Sequence, residues 1–192
     1  MRLIISSLLA ALVLNPAQAE PSGFPGVDIK VRQDGDVIIV DCVMHTDVSQ
    51  DAAWAVLTDF EHMVRFVPNV HESHVLERHG EQLRVQQKGV ARYGVLSFSF
   101  ESLRDIELKP ISEIRSRAVG GNVKQMEGTT QLSHDAGGTT IVFHSTSVPG
   151  VWVPPMLGLA FVRNEVAEQF HGMLLEMQKR KPPTLSEPRP AT

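Results

Sequence analysis

The sequence predicts an α+β protein in which a curved antiparallel β-sheet wraps around one long C-terminal helix, while two short helices close one end of the sheet. Three observations lead to this prediction. From about residue 70 to residue 148 the hydrophobic pattern has the period of β-strands, interrupted by glycine and proline turns. Two short stretches of helical period, 51–59 and 61–66, precede it. An amphipathic helix follows it and reaches about residue 179.

The elements follow one another with clear start and stop signals. A hairpin is predicted over 27–32 and 37–45, joined by a turn at Asp34 and Gly35. Ser49 is suited to cap the first short helix, and Pro68 ends the second. Six further strands are predicted over 70–78, 82–91, 96–108, 113–119, 124–133 and 139–148.

The last helix begins after the two prolines at 154 and 155 and has one broad apolar face, formed by Leu159, Val162, Val166, Phe170, Met173, Leu174 and Met177. A strongly bent sheet has an apolar concave face, and one terminal helix laid across it covers that face. A single helix cannot fill the whole concavity of a wide sheet. We therefore expect an internal cavity that opens near the loops.

The N-terminus has the pattern of a cleavable signal peptide over residues 1–19. Arg2 precedes a charge-free apolar run over 3–14, and Ala17 and Ala19 form a small-x-small cleavage site. The run is shorter than the roughly 20 apolar residues that a membrane anchor needs. The predicted organisation is a signal peptide (1–19), a flexible lead-in (20–26), one domain (27–180) and a disordered proline-rich tail (181–192), in a periplasmic or secreted protein.

Charge and cysteine content exclude some classes of function. Cleavage removes one basic residue, which leaves 17 of the 18 Lys and Arg residues against 22 Asp and Glu residues. This acidic balance does not favour nucleic-acid binding. The one cysteine, Cys42, lies in an apolar strand-like run and is expected to be a small buried hydrophobe, so stability depends on the packed core.

The segment 48–77, VSQDAAWAVLTDFEHMVRFVPNVHESHVLE, resembles the opening signature of the START-like helix-grip (SRPBCC) superfamily, within it the coenzyme Q-binding and polyketide cyclase branch. The similarity lies in the helix with Trp54, its Thr58-Asp59-Phe60 exit and the Phe66-Val67-Pro68 stop, and the C-terminal helix over 161–177 is similar too. The resemblance implies a helix-grip fold whose cavity holds a lipid, quinone, sterol or polyketide. A minority of members catalyse cyclisation or hydrolysis.

Several polar residues are candidates for catalysis or metal binding. His71 and His74 are three apart on a strand, so they point to opposite faces and are expected to be surface residues. No catalytic residue, metal site or cofactor is predicted. A cyclase would need polar groups such as Arg92, Arg117, His144 or Arg163 to converge in the cavity. Strand parity predicts that Glu101 and Glu127 point toward solvent. The direction of the His144 side chain is undecided, because the residues before it are apolar on both faces of the strand.

The predicted ligand-binding residues are Phe60, Met63, Phe66, Phe98, Phe100, Met126, Thr130, Val142, His144, Trp152, Leu159, Val162, Val166 and Phe170. The loop 151–157 concentrates apolar residues around Trp152 and is either a gate that touches the membrane or a segment folded back on the sheet. The expected partners are a hydrophobic small molecule and, transiently, a membrane. We expect a monomer that does not bind nucleic acid.

Three functions are compatible with these residues. The first is an exported binding or carrier protein for a hydrophobic small molecule, which is favoured because no catalytic constellation stands out. The alternative is a polyketide cyclase or hydrolase-type enzyme that uses the same cavity. The third is an interaction module with a filled core, which requires that no cavity exists.

Overall fold

The computed structural model describes residues 24–93, 96–150 and 155–181. Eight strands surround one long helix, with a short helix and a 3₁₀ helix between the second and third strands. The strands are β1 (Val27–Asp34), β2 (Val37–Thr46), β3 (Val70–His79), β4 (Gln82–Tyr93), β5 (Leu96–Lys109), β6 (Glu113–Gly121), β7 (Val123–Asp135) and β8 (Gly138–Pro149). The helices are α1 (Gln50–Leu57), the 3₁₀ helix Phe60–Arg65 and α2 (Pro155–Lys179). None of these helices is long and apolar enough to cross a membrane.

The strands form one antiparallel sheet in the order β1-β2-β8-β7-β6-β5-β4-β3. Strands β3 to β8 run as a meander, and β2 pairs with β8 instead of with β3. Because α1 and the 3₁₀ helix carry the chain from β2 to the opposite edge of the sheet, they close that end of the fold. The predicted α+β helix-grip architecture is confirmed.

The short helices begin and end where the sequence signals place them. The Ser49 side chain accepts a hydrogen bond from the Ala52 amide at 3.3 Å and caps α1. On the 3₁₀ helix, Phe60 and Met63 are buried. The Ser73 hydroxyl of β3 donates to the Phe60 carbonyl at 2.5 Å and so attaches this helix to the sheet.

The hydrophobic core lies between the inner face of the sheet, which is the face toward α2, and the helices. Its fully enclosed side chains include Met44 on β2, Val85 on β4, Ile141 on β8 and Met177 on α2. Cys42 is 1% exposed, and burial raises the pKa of its thiol to about 12, so this thiol is unreactive near neutral pH. His71 and His74 are both exposed, as predicted.

Gly172 lets α2 pack directly on the end of the 3₁₀ helix. A Cβ atom at this position would lie 2.2 Å from the Phe66 carbonyl oxygen and 3.1 Å from Cδ of Pro68. A real Cβ atom does not approach a backbone oxygen so closely. The missing side chain therefore sets the distance between α2 and this corner of the fold.

Replacing Gly172 with alanine is expected to lower the free energy of unfolding by about 1–3 kcal/mol, because the new methyl group overpacks the contact. In a helix without such a neighbour the same change stabilises by roughly 0.5–1 kcal/mol. Urea unfolding followed by circular dichroism measures the difference. The reverse change Ala160→Gly, at an exposed position of α2, is the control and should cost only roughly 0.5–1 kcal/mol. An unchanged or raised stability of Gly172→Ala would show that α2 does not approach Phe66 this closely.

Candidate functional site

The inner face of the sheet is covered unevenly. Helix α2 packs mainly against β1 and α1, with smaller contacts to β2 and β4. The inner side chains of β5, β6 and β7 near the middle of the sheet are only partly buried: Phe98, Phe100, Ser102, Ser116, Ala118, Met126 and Thr130. We call the space that they face the inner cavity. It is the part of the concave face that α2 covers only partly.

A buried cation lies on the inner face of β5. Arg104 follows Phe98, Phe100 and Ser102 on the same side of the strand and stands opposite Val85 of β4. Its Nη2 atom donates to the Oε1 atom of Gln87. The Gln87 amide nitrogen donates to the Ser73 hydroxyl at 3.0 Å and contacts the Met63 sulfur at 3.1 Å. The amide is therefore held with its oxygen toward the guanidinium.

The charge of Arg104 is poorly compensated. Although part of the side chain stays accessible, its Nε atom is enclosed and has no hydrogen-bond partner among the described residues. Within the described residues no carboxylate lies within 4.0 Å of this guanidinium, and burial alone lowers its pKa to about 10. Arginine carries five N–H donors in a planar fork that matches carboxylate and carbonyl oxygens. The inner cavity thus contains a cation suited to bind an acceptor group.

The predicted binding residues fall into two groups within the fold. Phe60, Met63, Phe66 and Phe170 are buried in the core. Six others are partly buried on the inner face of the sheet or on α2: Phe98, Phe100, Met126, Thr130, Val162 and Val166. Phe98 meets Phe161 of α2 edge to face, with 5.2 Å between the ring centroids. Leu159 is partly buried near the start of α2, and Trp152 lies outside the described residues.

The assignment of Val142 and His144 to the cavity is wrong. On β8 the inner side chains are Ile141, Phe143 and Ser145, and Ile141 is fully buried. Because side chains alternate along a strand, Val142 and His144 face outward. Val142 is 41% exposed, and His144 Nδ1 lies 2.7 Å from Asp41 Oδ1 on the outer face. Three consecutive apolar residues, 141–143, hid this parity in the sequence.

Of the four polar residues considered for a cyclase, Arg92, Arg117 and His144 do not enter the inner face, whereas Arg163 is partly buried on α2. The side chains of Arg92 and Arg117 are exposed, and Arg117 faces Asp105 at 3.8 Å on the outer surface. Glu101 and Glu127 point outward, as strand parity predicts. Arg104 was not among the predicted site residues. The sequence nevertheless indicates it, because Arg104 has the same strand parity as the apolar residues Phe98, Phe100, Ile106 and Leu108. A lone charged residue within such an apolar set marks an inward-facing cation.

The outer face of the sheet offers a different kind of surface. A depression of about 650 Å³ is lined mostly by charged and polar side chains of β4 to β8. These charges pair with one another, and the bond from Arg84 Nε to Asp105 Oδ1 is 2.8 Å long. An apolar ligand gains little from such a surface. The inner cavity is therefore the candidate binding site.

A curved antiparallel sheet that grips a long C-terminal helix defines a START-like helix-grip protein. The chain belongs to the polyketide cyclase/dehydrase and lipid transport family, whose family model matches residues 46–173, more than half of the sequence. A comparison with curated protein sequences finds no match.

Solved structures with the same fold include two lipid transfer proteins and an aromatase/cyclase. A STAR-related lipid transfer protein from Xanthomonas axonopodis is 16% identical, with a TM-score of 0.65 over 80% of this chain and 94% of that chain. Human StAR-related lipid transfer protein 5 is 10% identical, with a TM-score of 0.62 over 81% and 83%. An aromatase/cyclase from Streptomyces sp. R1128 is 17% identical, with a TM-score of 0.58 over 75% and 95%. At these identities the similarity shows the fold alone.

Proposed function

We propose that this protein is an exported carrier for an amphipathic small molecule, whose apolar body occupies the inner cavity and whose head group binds Arg104, an anionic head more tightly than a carbonyl head. The inward-facing and partly accessible guanidinium of Arg104, for which the described residues supply no carboxylate partner, is the observation that carries this proposal. A buried cation without a counter-ion is costly in an apolar interior. An acceptor group on the ligand would offset that cost and orient the ligand.

Export is supported by the sequence of residues 1–19, which lie outside the described residues. The ligand classes that fit a long apolar body with one acceptor head are fatty acids, quinones and polyketide-like molecules. Ligand exchange with a membrane through the 151–157 loop remains part of the proposal, with Trp152 as the contact residue. Residues 151–154 of that loop also lie outside the described residues.

The alternative is a cyclase-type enzyme, and Arg104 favours it to a limited degree. A guanidinium next to a polyketide-like chain can stabilise the negative charge that develops on an enolate oxygen. Cyclisation also needs a group that moves a proton in the cavity. Because Arg92, Arg117 and His144 lie outside the cavity, the carrier is the better-supported function.

Titration with matched fluorescent probes tests the carrier hypothesis on the wild-type protein. An anthroyloxy-labelled fatty acid and its methyl ester share one apolar body, and the acid alone carries a carboxylate. We expect the acid to bind at least about 10-fold more tightly, because hydrogen bonds to a charged group contribute about 1.5–3 kcal/mol each. Equal affinities for the two probes would show that Arg104 does not bind the head group. If neither probe binds, and native mass spectrometry of envelope-purified protein detects no bound ligand, the carrier function is wrong.

A further inference from the structure

One buried hydroxyl of the sheet differs from the other buried polar groups. Within the described ranges, seven polar or charged residues are buried: Thr46, Asn69, Ser73, Gln87, Thr139, Ser145 and Glu165. The side chains of six of them form hydrogen bonds with other described residues. The exception is Ser145 on β8, which is 8% exposed and whose hydroxyl is not bonded to any described residue.

The backbone of Ser145 does not explain its choice of side chain. Ser145 lies in the middle of β8, paired with β2 on one side and with β7 on the other, and its side chain points to the inner face. A hydroxyl that leaves water without gaining a new partner destabilises the folded state, so most buried hydroxyls in proteins are hydrogen-bonded. Ser145 therefore points to a partner that the described part of the chain does not supply.

Gly128 brings a second hydroxyl next to Ser145. On the inner face, Gly128 of β7 pairs with Ser116 of β6 on one side and with Ser145 on the other. A Cβ atom at Gly128 would lie 3.1 Å from the Ser116 Oγ atom and 3.6 Å from the Ser145 Cβ atom. Because glycine has no side chain, both serines approach the same point above β7. The Ser116 hydroxyl is also not bonded to any described residue.

The surroundings of this serine pair, Ser116 and Ser145, are uncharged. Its neighbours on the inner face of β6, β7 and β8 are Ile114, Ala118, Met126, Thr130, Phe143 and Ser147. The Phe143 ring lies 3.5 Å from the same Cβ position and forms one wall of the site. Since these neighbours carry no charge, the pair is suited to a neutral oxygen and not to an ionised group.

The chemistry of two serines allows one ligand oxygen to satisfy both. Each hydroxyl can donate one hydrogen bond and can also accept. A ligand carbonyl between the serines accepts from both of them. A ligand hydroxyl in the same place accepts from one serine and donates to the other.

The strand register sets the distance between the serine pair and Arg104. Arg104 pairs with Ala118 of β6, and Ser116 lies two residues before Ala118 on the same face. With strands about 4.8 Å apart and a rise of about 3.3 Å per residue, the pair is centred roughly 12 Å from the Arg104 backbone. The guanidinium points away from the pair, toward Gln87 of β4. An extended ligand whose head binds Arg104 therefore brings the middle of its apolar body between the serines.

We propose that Ser116 and Ser145 form a second polar subsite, which binds a neutral oxygen in the middle of the apolar body of the ligand. This inference rests on the proposed function, because it needs Arg104 to hold the head group. It narrows the ligand to a long-chain acid with a hydroxyl or keto group near the middle of the chain. An unsubstituted chain would leave both serine hydroxyls without a partner, and a site of this kind discriminates against such a ligand.

Displacement of the anthroyloxy-labelled fatty acid compares three unlabelled acids of equal chain length: stearic, 12-hydroxystearic and 18-hydroxystearic acid. We expect 12-hydroxystearic acid to bind about 3- to 10-fold more tightly than stearic acid, because its hydroxyl pairs with the serines. The hydroxyl of 18-hydroxystearic acid lies beyond the pair. That acid should therefore bind no more tightly than stearic acid.

Ser145→Ala removes the buried hydroxyl without adding volume. The affinity of this variant for 12-hydroxystearic acid should fall at least about fivefold, because the ligand hydroxyl is then buried with one partner fewer. Its affinity for stearic acid should stay the same, and its urea midpoint should not fall, since the lost hydroxyl has no partner among the described residues. The control is Ser133→Ala, at an exposed position of β7, which should change neither affinity.

The outcomes separate the subsite from the carrier. If stearic acid binds at least as tightly as 12-hydroxystearic acid, or if the preference is the same in Ser145→Ala, the subsite is wrong and the carrier stays intact. An equal gain for 18-hydroxystearic acid also overturns the subsite, because the preference then has no position. If Ser145→Ala weakens both acids alike and lowers the urea midpoint, Ser145 supports the structure only. A protein that binds none of the acids overturns the carrier and the subsite with it.

Discussion

Replacing Phe170 with alanine is expected to lower the free energy of unfolding by about 3–5 kcal/mol, a large share of the stability of a domain of this size. Phe170 is 8% exposed and joins α2 to β8, where its ring meets Phe143 edge to face at a centroid distance of 5.0 Å. Truncation removes the buried ring and leaves a cavity between β8 and α2. These two elements are fixed by their other contacts and cannot move together to close it.

Urea unfolding measures this change, and Leu175→Ala is a control on the same helix. Leu175 is 49% exposed, so its truncation should alter the stability by less than about 0.5 kcal/mol. If Phe170→Ala unfolds at the same urea concentration as the wild type, Phe170 is not part of the core. The position of α2 over β8 would then be wrong.

Replacing Arg104 with methionine is expected to change binding and stability in opposite directions. The affinity for the fatty-acid probe should fall by about 10- to 100-fold, because the charged donor is lost, while the affinity for the methyl ester falls only about two- to fivefold, because its neutral carbonyl makes a weaker hydrogen bond. The unfolding free energy of the ligand-free protein should rise by about 1 kcal/mol, because the gain from replacing a poorly compensated cation with an apolar side chain exceeds the cost of leaving Gln87 Oε1 without its donor. A residue kept at a cost in stability is typical of a functional site.

The matched control is Arg117→Met on the outer face of β6, where the arginine side chain is 66% exposed. Neither probe affinity nor stability should change appreciably in that variant. A loss of stability in Arg104→Met, with both probes weakened alike, would show that Arg104 supports the structure through Gln87 and does not bind the ligand. Urea unfolding and probe titration on one preparation separate these outcomes.

Much of the fold could be predicted because local patterns determine it. The turn residues separated the strands of the meander, and the spacing of apolar residues predicted α2 as the helix that covers them. On β5 the alternation of Phe98, Phe100, Ile106 and Leu108 placed the inner face correctly, and the exposed Glu101 confirms it. Each of these features depends on residues that are neighbours in the sequence.

The partners across the sheet could not be predicted in the same way. Ser73, Gln87 and Arg104 come from three strands and meet because of the register of β3, β4 and β5, which includes irregularities between residues 70 and 72 and between 75 and 77. Likewise, no local pattern indicates that Glu165 reaches the Arg92 amide, 73 residues away. A shift of one residue in register would turn the inner side chains outward.

The sequence by itself therefore determined the order of the elements, the covering helix and the apolar character of the concave face, because hydrophobic period and turn chemistry act over a few residues. The tertiary structure decided which polar groups enter that face. It turned His144 and Val142 outward, placed Arg104 inside with no carboxylate partner in the described part of the chain, and set Glu165 at the end of β4. Such placements depend on strand register and on the packing of α2, where residues far apart in the chain are fixed together.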